Sequence, residues 1–179
     1  MEHAKFCGII DHNWENLVSH LSTTDGSEVT PDPDRWNERN PEYKKIYNLW
    51  EKSKFNMQSI KWINYYPDVQ FPNTINTLIS SFTGKQCHRS WVSRVDPGYC
   101  AAWHWDVDDN ESKYLEKGKI HRYSIFISKP SPGQSFNVED QYLVNQEQGS
   151  VWEWNNHNAW HAGMNASLSP KYMLHFLGY

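Results

Sequence analysis

Two patterns of apolar positions divide the chain. Up to about residue 84 they recur three and four residues apart, and after about residue 86 they come as short β-rich runs. Trp14, Leu17, Val18 and Leu21 predict a first helix, closed by the breaker run Thr23-Thr24-Asp25-Gly26. Residues 23–40 carry Gly26, Pro31 and Pro33 among polar groups and read as a long loop. Asn40 then caps a second helix with Pro41 at its first position, and Tyr43, Ile46, Tyr47, Trp50 and Phe55 form its inward stripe. A third helix opens at Pro72, turns Ile75, Leu78, Ile79 and Phe82 inward, and stops at Gly84.

From Cys87 the spacing predicts strands over 87–95, 100–105, 120–128, 141–146, 150–155, 159–164 and 171–178. Turn signals separate them: Asp96-Pro97-Gly98, Pro130-Ser131-Pro132-Gly133, Gln148-Gly149 and Ser169-Pro170. Short strands with no helices between them imply an antiparallel sandwich or jelly roll, not βαβ units. The expected architecture is one mainly β domain over 1–179, with 1–85 as a helical buttress on one face or edge and 86–179 as the β core. The charged segment 107–119 interrupts the strands and reads either as a solvated loop or as a lid over a site.

Composition changes the picture in one respect. Aromatics are 15% of the 179 residues, including ten Trp and ten Tyr, so rings must build much of the core. Mean hydropathy is −0.82 and net charge is −4. The charged residues form no basic block, which disfavours a phosphate-backbone partner. No run approaches the roughly 18 apolar residues of a membrane span. The N-terminal stretch lacks the flanks of a signal peptide, and Cys7, Cys87 and Cys100 show no CxxC spacing. The expectation is a cytoplasmic protein with reduced thiols.

His104-Trp105-Asp106 is the first candidate for chemistry. Residues two apart on a strand share a face, so His104 and Asp106 at a strand end are placed to reach one ion. A third ligand must come from His157, His161 or His175. Two histidines and one carboxylate on one face of an octahedron suit non-haem Fe(II) and leave three positions for a bidentate keto acid and O2. An anionic co-substrate in an apolar barrel needs a buried cation. Lys171, ten residues after His161, and Arg122, in Ile-His-Arg-Tyr-Ser-Ile-Phe-Ile, are the basic residues in β segments. The plain alternative for both is an edge-strand cation facing solvent.

Ser93–Asp106 (SRVDPGYCAAWHWD), Gly149–His161 and Asn165–Leu174 (NASLSPKYML) together resemble the 2-oxoglutarate/Fe(II)-dependent oxygenases, most closely the aspartyl/asparaginyl β-hydroxylase branch. The resemblance covers about residues 90–179. It implies a double-stranded β-helix, a cupin-like jelly roll. It implies that His104, Asp106 and His161 hold Fe(II), that Lys171 pairs with the distal carboxylate of 2-oxoglutarate, and that Ser93 donates to the same group. Arg122 is then the partner for the carboxylate near the metal. The implied reaction couples O2 and 2-oxoglutarate to hydroxylation of an amino-acid side chain, with release of succinate and CO2 and no catalytic residues beyond the metal ligands. Peptidyl Asp, Asn or Pro and a free amino acid all remain open as substrate. Asp106 stands where animal members of that branch have glycine, and Lys171 where many have arginine.

Two other readings fit parts of the sequence. A carbohydrate-binding jelly roll would use the tryptophans as exposed platforms. A zinc hydrolase would use the same triad with Glu153 as general base. Trp103, Trp105 and Trp160 flank the candidate ligands and read as core.

Overall fold

The chain is described here by a computed structural model over residues 3–31, 41–54, 56–105, 120–154 and 159–179. Eleven strands form two antiparallel sheets among these residues. They are β1 (Lys5–Ile9), β2 (Ser27–Val29), β3 (Trp62–Tyr65), β4 (Cys87–Val95), β5 (Cys100–His104), β6 (His121–Phe126), β7 (Gln134–Val138), β8 (Gln141–Val144), β9 (Ser150–Glu153), β10 (His161–Asn165) and β11 (Lys171–Gly178). The larger sheet runs β1-β9-β6-β11-β4-β3-β2 and the smaller runs β5-β10-β7-β8. This is a mainly β jelly roll. The helices are α1 (Trp14–Ser22), α2 (Pro41–Lys52) and α3 (Thr74–Thr83).

The faces follow from strand alternation. On β11, Tyr172, Leu174 and Phe176 turn outward and join Trp14, Leu17, Leu21, Ile75 and Ile79 in one apolar cluster. Helices α1 and α3 therefore cover the outer face of the large sheet, as their inward stripes require. The other face of β11 carries Lys171, Met173, His175 and Leu177 into the space between the sheets. Met173 and Phe126 meet Phe136, Val138 and Leu143 of the small sheet there, with Trp154 beside them. Ile46 and Trp50 of α2 close the back of the small sheet with Ile60, Cys100 and Ala102.

The strands expected after Cys87 are all present, within a few residues at their ends. The first 85 residues are not purely helical. β1 extends the large sheet beside β9, and β3 and β2 extend it beyond β4, so helices and strands of this half both belong to the β core. These runs are three to five residues long and lack a clear apolar alternation. β7 was also unexpected; its Gln, Ser and Asn hide the inward alternation of Phe136 and Val138. Phe82 is 39% exposed, not inward, and lies against Gly8 of β1. Gly84 ends α3 in the left-handed conformation expected of it. Asn40, Phe55, the side chain of Tyr43, and the whole 107–119 segment lie outside the description.

Candidate active site

The site is built where the small sheet faces the interior. His104 ends β5 and His161 opens β10, and the two are direct cross-strand partners. Their ring centroids are 4.2 Å apart. A β-bulge makes this meeting possible. Gly163 pairs with Ala101 and His161 pairs with His104, so three steps on β5 oppose two on β10. Ala101 and His104 consequently share a face that plain alternation would deny them. The extra residue turns the His104 imidazole inward while Cys100 and Ala102 stay packed against α2.

Each imidazole is pinned by a backbone carbonyl two residues before it. His104 Nδ1 lies 2.6 Å from Ala102 O and His161 Nδ1 lies 3.1 Å from Ala159 O. A carbonyl only accepts, so both rings donate from Nδ1, which leaves Nε2 as the nitrogen available to ligate a metal. That is how a metal-binding histidine is oriented. Trp62 stacks on His104, and Trp154 and Phe136 lie 4.7 and 6.3 Å from His161. Two imidazoles oriented in this way are ligands that a divalent transition metal such as iron accepts. Asp106, the expected carboxylate ligand, lies outside the described residues, as does His157. Among the described residues, no three histidine, cysteine or carboxylate groups cluster as a complete metal site.

Lys171 is not an edge cation. It is 2% exposed, its ammonium donates to Ser135 O, and it lies 5.6 Å over the Phe136 ring. It passes Gly163, where a Cβ would stand 3.4 Å from Nζ. Burial pushes its pKa down to about 7. Phe136 therefore neighbours both Lys171, at 5.6 Å, and His161, at 6.3 Å. Arg122 is also 2% exposed, with its guanidinium 5.3 Å over Trp154. Both cations sit on the interior face of the large sheet, because Leu177 pairs with Arg122 and Lys171 leads the same row of β11.

Ser93 faces the same interior, opposite Met173 and one step from the Lys171–Val95 pair. Its hydroxyl is 2.9 Å from His175 Nε2. His175 stacks on Trp91, and its Nδ1 lies 3.2 Å from Ser124 Oγ. The sequence offered His175 only as an alternative ligand, and nothing in its spacing marked the two serines that hold it.

Glu153 lies on the opposite face of the large sheet. It pairs in register with Tyr123 and Lys5, and its carboxylate accepts a hydrogen bond from His121 Nδ1 at 2.6 Å. Cys7 Sγ is 3.8 Å from the other carboxylate oxygen, and burial, then Glu153, pushes that thiol up. Glu153 is therefore badly placed as a base for chemistry at His161. Among the described residues, the tryptophans give no exposed platform either. Trp14, Trp50 and Trp154 are buried, and Trp105 packs edge-on against Trp160 at 4.4 Å.

No family model matches the chain, and no curated protein matches it. Among solved structures, an oxidoreductase of the 2OG-Fe(II) oxygenase family from Burkholderia pseudomallei superposes with TM-score 0.58 at 11% identity, over 98% of this chain and 85% of that one. The fold is a double-stranded β-helix. A viral collagen prolyl hydroxylase from Paramecium Bursaria Chlorella virus-1 gives TM-score 0.48 at 11% identity, over 99% of this chain and 90% of that one. At this identity the likeness speaks for the scaffold, and the chemistry rests on the side chains. No helix among the described residues is long and apolar enough to cross a membrane. Cys7, Cys87 and Cys100 form no disulfide.

Proposed function

We propose that this protein is a 2-oxoglutarate- and Fe(II)-dependent oxygenase that hydroxylates an amino-acid side chain, and that residues 1–179 act as one oxygenase domain. The observation that carries the reading is the inward-turned pair His104 and His161, their ring centroids 4.2 Å apart and each with Nδ1 held by a backbone carbonyl. Asp106, two residues past His104, is assigned as the third ligand. Bound there, Fe(II) supplies the activation of O2 that couples keto-acid decarboxylation to substrate oxidation.

The protein's own part is binding, orientation and exclusion of water. Lys171 is the cation for the distal carboxylate of the keto acid. A buried amine without a carboxylate partner is costly, and an incoming diacid removes that cost. Phe136, which neighbours both that amine and His161, and Met173 supply apolar lining around it. Arg122, laid on Trp154 beside His161, is assigned to the carboxylate near the metal. Trp62 and Trp154 shield the histidines from bulk water.

The aspartyl/asparaginyl branch is the finer reading, with peptidyl Asp, Asn or Pro, or a free amino acid, as substrate. The test is succinate release from 2-oxoglutarate with added Fe(II), paired with a screen of peptides and amino acids for the mass of one added oxygen. Release stopped by His104→Ala supports the reading. Hydrolysis stimulated by zinc and indifferent to the keto acid would replace it with the hydrolase.

A further inference from the structure

A hydrogen-bonded chain runs across the barrel interior from Trp154 to Ser93, and its direction can be worked out. Trp154 Nε1 lies 3.0 Å from Ser124 Oγ, and indole N–H only donates. Ser124 is fully buried, so its own proton also needs an acceptor inside the protein. His175 Nδ1, at 3.2 Å, is the only acceptor its hydroxyl meets among the described side-chain contacts. Ser124 therefore donates to Nδ1, and the neutral imidazole carries its proton on Nε2. Nε2–H donates to Ser93 Oγ at 2.9 Å. Ser93 now has an accepting lone pair filled and a proton still to give.

We propose that His175 is a positioning residue: the chain Trp154–Ser124–His175 fixes Ser93 as a hydrogen-bond donor to a carboxylate held by Lys171. The ligand class is a dicarboxylate that places one carboxylate at the Lys171 ammonium, beside the Phe136 ring. Ser93 and Lys171 lie on the same interior face of adjacent strands, one pleat apart. The Trp91 ring, stacked on His175 at 5.0 Å, keeps the imidazole plane in line with both serines. The opposite tautomer would leave the Ser124 proton buried without an acceptor and turn Ser93 into a donor spent on the imidazole. This inference rests on the oxygenase reading for the identity of the diacid, but the tautomer itself does not.

The experiment has two arms on the full-length protein. Long-range proton–nitrogen NMR of 15N-histidine-labelled protein, without metal or keto acid, reads the tautomer, and His175→Gln assigns the signal by removing it. Expected is a neutral Nε2–H imidazole that changes state in Trp154→Phe. Calorimetry then measures 2-oxoglutarate binding with Mn(II) in place of iron. His175→Phe, which keeps a ring but loses both nitrogens, should weaken the keto acid about 10- to 100-fold, the range of one hydrogen bond to a charged group. His175→Gln, which keeps a donor near the Nε2 position, should recover most of it, with Mn(II) affinity unchanged throughout. Ser93→Ala should give the same loss while His175 keeps its Nε2–H tautomer, its signal shifted only by the lost acceptor, and serves where His175→Phe does not fold. An Nδ1–H or protonated His175 at neutral pH overturns the proposal, and so does full keto-acid affinity in Ser93→Ala. An Nε2–H tautomer in a wild-type protein that ignores 2-oxoglutarate overturns the oxygenase reading, and with it the assignment of the ligand.

Discussion

His104 and His161 face each other across the β5–β10 ladder only because β5 spends one more residue than its partner between Ala101 and His104. Remove that bulge and His104 returns to the face packed against α2. The site thus depends on a backbone irregularity as much as on two imidazoles.

Lys171 gives a pH prediction with a definite sign. Its folded-state pKa of about 7 lies below the ordinary 10.5, so between those values the unfolded chain holds the extra proton. Stability attributable to this residue therefore rises with pH across that window, by at most about 1.4 kcal/mol per pH unit, and the full penalty applies below about pH 7. Chemical denaturation of wild type and Lys171→Met across pH 6–10 should show wild type gaining on the variant as pH rises. A bound diacid holds the amine protonated, so 2-oxoglutarate binding near pH 8 should take up a proton. Calorimetry in buffers of different ionisation enthalpy reads that uptake, and its absence would remove Lys171 from the binding site.

Gly163 makes room for that amine. Gly163→Ala puts a methyl 3.4 Å from Nζ and should be tolerated. Gly163→Val should displace the amine, raising KM for 2-oxoglutarate about tenfold or more with little change in metal affinity, on the scale of one lost charge-assisted hydrogen bond. An unchanged KM would place the keto acid elsewhere.

Glu153 separates the oxygenase from the hydrolase. It serves His121, Tyr123 and Cys7 on the outer face of the large sheet. Glu153→Gln should cost about 1–2 kcal/mol of stability through weakened hydrogen bonding and leave turnover within about twofold. Thermal melting and succinate release measure the two effects. A collapse of activity with the fold intact would favour Glu153 as a base.

Much of the β core was legible because inward and outward residues alternate along β4, β6 and β11, and because Pro-Gly and Gly turns punctuate them. β7 was hidden, since Asn137 and Gln134 break its apolar rhythm although both are buried. The short strands β1, β2 and β3 carry no periodicity of their own and are held by the edges of a sheet the sequence does not display. Lys171 could be raised from its place in a β segment, whereas His161 stood as one of three histidines until the resemblance singled it out. The inward turn of His104 could not be read, because a bulge shifts the face of every residue beyond it without leaving a residue-type signal at Ala102 or Trp103. Ser93 was named by resemblance, but its tie to His175 depends on cross-strand register, which only the fold sets.

The buttress role of the first half is tested by Ile79→Ala. Ile79 is fully buried between α3 and the large sheet, and its truncation should cost about 2–5 kcal/mol. Urea denaturation checks this. A cost below about 0.5 kcal/mol, the scale of a surface change, would mean that α3 is not a structural part of the barrel.

The most direct measurement is anaerobic visible spectroscopy of the protein titrated with Fe(II) and then with 2-oxoglutarate. A keto acid chelated to Fe(II) gives a charge-transfer absorption that neither partner shows alone. The expected result is that band at one equivalent of iron in wild type, its loss in His161→Ala, and a much weaker keto-acid response in Lys171→Met. A wild-type protein that shows no band, or a His161→Ala protein that keeps it, contradicts the assignment of this barrel as an iron and keto-acid site.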